Sequence, residues 1–316
     1  MIELAIQILI LAGSLVLLAS ASHFTIKSVE KLIELTGLSE ASAGFVILAI
    51  LTSTPEITVA LFSILEGTPG ISVGDILGSN IFNIGAVLGI LGMLGYMKKC
   101  CAELWMELTD ILFFTSMIPL LLVISQFHIF EIPSQIIGVV LLGVFIVNIY
   151  VMTKNRAPQV KVDASKPAKK EGWGMTVMKL LLGISCVFVA ARFTVSSGIS
   201  IAVSAGIAPI LIGAKIVSIG TSLPELTIDF VAVRRGRVHL ALGDIIGSNL
   251  TNLTLVLGLV LLFSPFAVDI TIFTELLPFL LITTIILWRL LSKGGISQVA
   301  GITLIMTYIL FQAIIV

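Results

Sequence analysis

The chain has few charged residues and few cysteines, and each shortage excludes a class of protein. Only 11% of its 316 residues are Asp, Glu, Lys or Arg, whereas water-soluble domains carry about 25%. With 58% hydrophobic residues and a mean hydropathy of +1.17, the composition excludes a soluble domain and indicates an integral membrane protein. The three cysteines include the adjacent pair Cys100 and Cys101, and they offer neither a disulfide framework nor metal-site spacing.

Long apolar runs are abundant. A membrane-spanning helix needs roughly 20 apolar residues, and ten such runs can be read, at about 3–26, 38–65, 70–95, 108–127, 132–153, 174–203, 207–233, 239–263, 270–291 and 295–315. The runs are continuous and not alternating, which excludes a transmembrane barrel. We therefore predict an all-α membrane protein with ten transmembrane helices.

The basic residues indicate how such helices are oriented. If the ten runs cross the membrane in turn, every one of the 18 Lys and Arg residues except Arg192 and Lys215 falls on the side opposite the amino terminus. Loops rich in Lys and Arg remain in the cytoplasm. We therefore expect a multi-pass protein of the cell membrane with both termini outside.

The two halves of the chain repeat each other at an offset of 169 positions (225 − 56). TSTPE at 52–56 aligns with TSLPE at 221–225, and GDILGSNIFN at 74–83 aligns with GDIIGSNLTN at 243–252. Five spans per copy would make the second copy enter the membrane upside down. We therefore predict two inverted five-helix repeats, 1–153 and 173–316, joined by a cytoplasmic linker at 154–172, with broken helices meeting at the midplane.

Each repeat has a glutamate, Glu56 or Glu225, just after a Ser/Thr–Pro sequence. Proline interrupts the helix and frees backbone carbonyls, and hydroxyl oxygens adjoin the break at Thr52, Ser53, Thr221 and Ser222. Oxygen-only ligands suit hard cations such as Ca2+ and Na+. Two facing carboxylates repel each other, and one divalent cation, several monovalent cations or protons relieve this repulsion. Competition between ions for this pair of carboxylates would couple the transport of one ion to that of the other. No cofactor is expected.

A second polar pattern follows in each repeat. Asp75, Ser79 and Asn83 recur every four residues, as do Asp244, Ser248 and Asn252, so each trio lies along one helix face. We expect Asp75 at the outer end and Asp244 at the inner end of its span, where they would line ion entrances. The alternative is a solvated acid at a helix start. Small and amide residues can also serve only to hold helices together, and this alternative is strongest for Asn80 and Asn249.

Three charges break the repeat symmetry. At the common offset, Lys215 aligns with Val46, Asp229 with Ala60 and Arg192 with His23. Asp229 lies one turn beyond Glu225 on the same helix face, where it would line the inner pathway. Lys215 lies near a span end, where its side chain can extend to the surface.

These motifs resemble the cation/calcium exchangers, and the chain looks like a prokaryotic sodium/calcium exchanger. The resemblance covers about 44–90 and 213–259 and implies exchange of Ca2+ for Na+ by alternating access, with spans 1 and 6 as a movable gate. It implies that Glu56 and Glu225 are shared Ca2+/Na+ ligands. The implied set is completed by Thr52, Ser53, Thr221, Ser222, Ser79 and Ser248, by the backbone oxygens of Ala49 and Ser218, and by Asn83 and Asn252 beside the middle position.

The chain departs from the family pattern at Leu51, where the motif has glycine, and at Thr54, where it has leucine. Potassium-dependent relatives carry Asp where this chain has Asn83 and Asn252, so the resemblance disfavours K+ coupling.

The main alternative is a proton-coupled Ca2+ exchanger on the same fold. A remote one is an intramembrane aspartyl protease, although Ser72-Val73-Gly74-Asp75 lacks the first glycine of its motif. We expect the ions and the bilayer as partners, with no nucleic acid and no obligatory protein partner.

Overall fold

The computed structural model describes residues 2–36, 43–97, 103–126, 132–154, 173–206, 209–264 and 270–314, and within these ranges it is helical with no β-strand. The first half contains α1 (Ile2–Thr36), π1 (Ala43–Leu48), α2 (Ala49–Thr52), α3 (Thr54–Leu65), α4 (Pro69–Phe82), π2 (Asn83–Leu88), α5 (Gly89–Met93), α6 (Glu103–Met117), α7 (Leu120–Gln126) and α8 (Ser134–Lys154). The second contains α9 (Trp173–Ala205), α10 (Pro209–Ile212), π3 (Gly213–Val217), α11 (Ser218–Thr221), α12 (Leu223–Arg234), α13 (Val238–Thr251), π4 (Asn252–Val256), α14 (Leu257–Phe263), α15 (Ile270–Ser292) and α16 (Gln298–Ile314).

Six helical stretches are long and apolar enough to cross a membrane. They are Leu4–Thr25, Pro69–Met93, Met106–Val123, Gly174–Ala202, Val238–Phe263 and Thr274–Ser292, and a bent pair, Gly213–Thr221 with Leu223–Arg234, adds a seventh. Three further apolar helices are shorter, at Thr54–Leu65, Ser134–Tyr150 and Gln298–Ile314. By length and composition the described chain therefore has six or seven spans, fewer than the ten apolar runs of the sequence.

The boundaries differ from the sequence prediction in two places. Helix α1 continues to Thr36, well past the end of the predicted first span at 26. The predicted fourth span, 108–127, is two helices with a turn between Met117 and Leu120, because Pro119 has no N–H to continue α6. Of the predicted linker, residues 155–172 lie outside the described part of the chain.

The predicted helix breaks occur at Ser53 and Ser222. Ser53 has φ −75° and ψ 3°, and Ser222 has φ −90° and ψ 5°, which is the sparsely populated bridge region of backbone space. Each serine precedes a helix with proline in its first turn, where a missing N–H has no helical partner to lose. The second broken pair bends by 44°.

Close packing between the halves depends on glycine. A Cβ on Gly78 of α4 would collide with Ala214 O and lie 2.8 Å from Ser218 Oγ, and one on Gly247 of α13 would lie 2.6 Å from Ala49 Cβ. Helix α4 of the first half therefore packs against π3 and α11 of the second, and α13 packs against π1 and α2 of the first. The helix with the Asp/Ser/Asn pattern in each half thus contacts the broken helix of the other.

The apolar interior is divided in two. The larger cluster extends from Phe45 to Phe311 and includes residues of α4, α13, α15 and α16. The smaller one is built mainly from α1 and α9, for example Leu18 and Val187, and it also includes Val59 and Ile71 at the edge of the central helices. Helices α1 and α9 therefore pack on each other as a separate layer against the central bundle.

Candidate ion-binding site

The structure buries every residue that the sequence predicted as a ligand or an ion entrance. The exposed fraction is 0% at Ala49, Thr52, Ser53, Glu56, Asp75, Ser79, Asn83, Ser218, Thr221, Ser222, Glu225, Asp244, Ser248 and Asn252, and also at Asp229. Every Lys, Arg and His whose burial the structure describes is at least partly exposed. Five carboxyl groups thus lie in the interior with none of these basic side chains buried among them, which is costly unless a cation or protons neutralise them.

One oxygen cluster lies between α4 of the first half and α11 of the second. Thr221 Oγ1 donates to Asp75 Oδ1 at 2.8 Å. Ser79 Oγ is 3.4 Å from Asp75 Oδ1 and 3.3 Å from Thr221 Oγ1, and 3.5 Å from the backbone oxygen of Ser218. Glu56 joins this cluster because its Oε1 is 3.4 Å from both Ser79 Oγ and Ser222 Oγ.

A mirror cluster lies between α13 of the second half and α2 of the first. Thr52 Oγ1 is 3.0 Å from Asp244 Oδ1 and 2.8 Å from Ser248 Oγ. Ser248 Oγ is 3.4 Å from Asp244 Oδ1 and 3.5 Å from the backbone oxygen of Ala49. Every one of these contacts is the counterpart, at an offset of 169, of a contact in the first cluster. The sequence repeat is therefore a repeat of side-chain geometry.

The two aspartates lie deeper than expected. Asp75 is the seventh residue of α4 and Asp244 the seventh of α13, and both are fully buried and bonded to a threonine of the opposite half. The alternative of a solvated acid at a helix start is wrong for both. The spacing of four residues to Ser79 and to Ser248 predicted only that the acid and the serine share one helix face, not how deeply that face is buried.

The two glutamates differ in their surroundings. Glu56 Oε1 accepts hydrogen bonds from Ser79 and Ser222, whereas both oxygens of Glu225 have no hydrogen-bond partner. Glu225 instead interacts electrostatically with Glu56 and Asp244, and with Asp229. Two like charges in the interior repel each other strongly, so a cation between them would stabilise the folded protein.

Four asparagines connect the halves beside the clusters. Asn83 Nδ2 donates to Asn249 Oδ1 at 3.2 Å, and its counterpart Asn252 Nδ2 donates to Asn80 Oδ1 at 3.2 Å. Asn80 Nδ2 also donates to Asn249 O at 3.1 Å. Asn80 and Asn249 therefore do hold the halves together. The side-chain oxygens of Asn83 and Asn252 have no partner, so they are available to an ion.

Several more buried oxygens lack partners, among them Ser53 Oγ, Glu56 Oε2, Asp75 Oδ2 and Asp244 Oδ2. An unpaired buried polar group costs about 1–3 kcal/mol, so a concentration of them in one region indicates a site for a ligand. Within the described residues no group of three or more His, Cys, Asp or Glu side chains is arranged to hold a metal ion. Hydroxyl, amide and backbone oxygens would therefore complete the shell of any cation here, as hard cations accept.

The helices change from α-helical to π-helical geometry at two of these asparagines, which the sequence did not predict. Asn83 and Asn252 are the first residues of π2 and π4, and π1 and π3 precede the two breaks. A π-helical turn contains an extra residue per turn and is frequent at functional sites. The four π turns occupy matching places in the two halves, immediately beside the oxygen clusters.

The structure shows what lies beside the three charged residues that break the repeat symmetry. Lys215 Nζ donates to Gln312 O at 3.1 Å, near the end of α16, where a cation is favoured. Arg192 forms an ion pair with Glu66 and lies 5.4 Å from the Phe62 ring centre. Asp229 is fully buried and interacts electrostatically with Asp244 of α13.

Comparison with known proteins places this geometry in a family. The family model described as "Sodium/calcium exchanger protein" matches residues 6–154 and 175–316. The chain is 28% identical to sodium/calcium exchanger MaX1 of Methanosarcina acetivorans over 99% of each protein, and 28% identical to putative antiporter CaxA of Alkalimonas amylolytica over 98% of each.

A solved structure of the sodium-calcium exchanger NCX_Mj, soaked with Na+ and Sr2+, is similar with a TM-score of 0.70 and 27% identity, over 98% of this chain and 99% of that one. The family consists of membrane transporters, so the protease alternative is wrong. The chain belongs to the sodium/calcium exchanger family, and it is an integral membrane cation/Ca2+ antiporter and not an enzyme.

Proposed function

We propose that the protein exchanges Ca2+ for Na+ across the cell membrane by alternating access. The observation that carries the proposal is the pair of mirror-related clusters of buried oxygens, each built from an acid of one half and a threonine of the other. Because each cluster lies in the central bundle between helices of both halves, movement of the α1–α9 layer against that bundle would open one cluster and close the other. This is how a carrier with inverted repeats exposes one site to two sides in turn.

The proposed architecture has ten spans in two inverted repeats, 1–153 and 173–316, with 154–172 as a cytoplasmic linker and both termini outside. The bent pair Gly213–Thr221 and Leu223–Arg234 would be one span, and the three shorter apolar helices would complete the count of ten: Thr54–Leu65, Ser134–Tyr150 and Gln298–Ile314. Helices α1 and α9, which form their own layer, would be the moving gate.

In the proposed mechanism Glu56 and Glu225 are the ligands that Ca2+ and Na+ share. One Ca2+ neutralises the pair, and Na+ does so only in multiples, so one ion must leave before the other binds. The remaining oxygens would come from Thr52, Ser53, Ser79, Thr221, Ser222 and Ser248, from Asn83 and Asn252, and from the backbone of Ala49 and Ser218. The hydroxyl-rich set favours Na+ as the counter-ion, and H+ is the alternative.

The test is uptake of radiolabelled Ca2+ into proteoliposomes that contain the purified full-length protein. The vesicles are loaded with Na+ or with K+, with and without a pH gradient. Glu56→Gln and Glu225→Gln remove one charge each and keep the side-chain size. Asp110→Asn is the matched control, because Asp110 bonds Trp288 at the exposed surface, 2.6 Å from its indole nitrogen.

Uptake that requires internal Na+, vanishes in both Gln variants and persists in the Asp110 variant supports Na+/Ca2+ exchange at these glutamates. Uptake driven by the pH gradient without Na+ overturns Na+ coupling and assigns the protein to the proton-coupled branch. Uptake that survives in both Gln variants overturns the assignment of the site.

A further inference from the structure

Lys215 is a basic residue within an apolar span, and the repeat does not explain it. It lies in the bent pair Gly213–Thr221 and Leu223–Arg234, and its counterpart at the offset of 169 is Val46, whose side chain cannot donate a hydrogen bond. A lysine inside a membrane span is costly and in general marks a function. Lys215 therefore has a role that only the second half requires.

The partner of Lys215 is the end of the last helix. Lys215 Nζ donates to Gln312 O at 3.1 Å. Helix α16 ends at Ile314, so this carbonyl belongs to the last turn, where carbonyl oxygens have no partner within the helix. Lysine side chains can satisfy such carbonyls. Lys215 thus fixes the end of α16 to π3.

The side chain of the same glutamine connects the end of α16 to π2. Gln312 Nε2 donates to the hydroxyl oxygen of Tyr308, one turn earlier, at 2.6 Å. The Tyr308 ring meets the Phe82 ring edge to face, with 5.4 Å between the ring centres, and a Cβ on Gly85 would lie 2.9 Å from Tyr308 Cβ. Because Phe82 directly precedes π2 and Gly85 lies within it, α16 is packed against the start of π2.

The turn that contains Lys215 adjoins the oxygen cluster around Asp75. A Cβ on Gly213, the first residue of π3, would lie 2.8 Å from the backbone nitrogen of Asp75. The turn continues directly into α11, where Ser218 O lies 3.5 Å from Ser79 Oγ and Thr221 Oγ1 bonds Asp75. A shift of π3 would therefore move two of the oxygens that are proposed to bind the ion.

We propose that Lys215 is a positioning residue for the oxygen cluster around Asp75. By fixing π3 to the end of α16, it holds Ser218 O and Thr221 Oγ1 where the cation takes them as ligands. Helix α16 then joins π3 of the second half to π2 of the first. This proposal rests on the proposed exchange function, and it makes the two mirror clusters unequal, because the valine at position 46 cannot form the corresponding bond beside the Asp244 cluster.

The direction of the effect separates positioning from direct electrostatics. A positive charge that acted on the bound cation through space would repel it, so that its removal would strengthen ion binding. A positioning residue predicts the opposite result, since its removal lets the ligand oxygens leave their places and weakens binding. The length and the donor of the side chain then matter more than its charge alone.

The experiment measures half-saturating Na+ and Ca2+ concentrations and maximal rates of uptake in proteoliposomes that contain the full chain. Lys215→Met keeps an unbranched side chain but removes the donor, and Lys215→Arg keeps a donor. Gln312→Ala keeps the carbonyl that Lys215 bonds and removes only the link to Tyr308. Lys293→Met is the matched control, because Lys293 is exposed beyond the end of α15.

We expect Lys215→Met to raise the half-saturating concentration of at least one of the two ions about fivefold or more, as loss of a hydrogen bond can do. Gln312→Ala should raise it less and in the same direction, and Lys215→Arg and Lys293→Met should stay within about twofold of wild type. An ion whose concentration shifts alone is thereby identified as the ion that depends on this cluster.

Three outcomes for Lys215→Met would overturn the proposal. They are unchanged half-saturating concentrations for both ions, a lower concentration for either ion, and a fall in the maximal rate alone, which would show a merely structural role. The rise of the unfolding midpoint with Ca2+, measured on the purified protein, tests Ca2+ binding by the same variants without transport. Absence of Na+-driven Ca2+ uptake in the wild type would overturn the exchange function itself, which separates the two failures.

Discussion

Thr221 Oγ1 donates a 2.8 Å hydrogen bond to Asp75 Oδ1 although 146 residues separate them in the chain. The counterpart, between Thr52 and Asp244, is 3.0 Å long. Each bond joins the broken helix of one half to the acid-bearing helix of the other. The groups proposed to bind ions are therefore also groups that hold the two halves together.

This relationship predicts a large difference between two substitutions of Thr221. Thr221→Val keeps the shape but removes the hydroxyl, which leaves Asp75 without its shortest hydrogen bond and the site without a ligand. Thr221→Ser keeps the hydroxyl. We expect Na+-driven Ca2+ uptake to fall about tenfold or more in the Val variant, since a lost hydrogen bond to a charged group is worth about 1.5–3 kcal/mol, and to stay within about threefold in the Ser variant. Equal uptake in the two variants would contradict a ligand role.

Glycine at the crossing of the halves gives a second prediction. A methyl group on Gly78 or Gly247 meets atoms of the opposite half, whereas one on Gly143 meets nothing within 4 Å. Overpacking of this kind costs about 1–3 kcal/mol. We expect Gly78→Ala and Gly247→Ala to lower the thermal unfolding midpoint of the purified protein and to reduce uptake. Gly143→Ala, the matched control, should do neither, and a similar loss in all three would contradict the packing explanation.

The asparagine pairs predict a loss of stability. Asn249 accepts hydrogen bonds at its side-chain oxygen from Asn83 and at its backbone oxygen from Asn80. Asn249→Ala would leave the buried amide of Asn83 without an acceptor, which costs about 1–3 kcal/mol. We expect a lower unfolding midpoint than in the wild type whether or not Ca2+ is present. A variant that unfolds at the wild-type temperature would show that the pair does not stabilise the crossing.

The sequence predicted the central features of this molecule because they depend on chain spacing. The offset of 169 predicted which residues correspond, and the Ser/Thr–Pro motifs predicted breaks at Ser53 and Ser222. The spacing of four residues predicted that Asp75 and Ser79 share a helix face. All of these follow from local backbone rules.

Contacts between the halves could not be predicted in this way. Nothing in the order of residues indicates that Asp75 pairs with Thr221 instead of with Thr52 of its own half, because that depends on how the helices cross. The depth of Asp244 was misjudged for the same reason, since its position near a predicted span end suggested solvent. The π turns after Asn83 and Asn252 also carry no sequence signal of their own, as the same residues would continue an α-helix.

The ion pair between Arg192 and Glu66 predicts a small effect. The Arg192 side chain is 53% exposed and that of Glu66 is 19% exposed, and pairs of this kind contribute about 0–1 kcal/mol because water screens them. We expect Glu66→Gln to change the free energy of unfolding by less than about 1 kcal/mol and to leave uptake within about twofold of wild type. A loss of uptake would instead indicate that the contact between α9 and α3 takes part in gating.

Ca2+ itself should stabilise the folded protein through the central carboxylates. A ligand that binds only the folded state adds RT ln(1 + [L]/Kd), about 2.7 kcal/mol at a concentration of 100 Kd. The unfolding midpoint of the wild type should therefore rise with Ca2+ and fall again when a chelator removes it. In the Glu225→Gln variant only Glu56 of the pair remains ionised, so the unfolding midpoint of this variant should respond little to the same Ca2+ concentration. Without Ca2+ its midpoint should be higher than that of the wild type, because the repulsion between Glu225 and Glu56 is removed. Glu66→Gln, as the control, should respond like the wild type. A Glu225→Gln variant with the full Ca2+ response would contradict the assignment of Glu225 as a ligand.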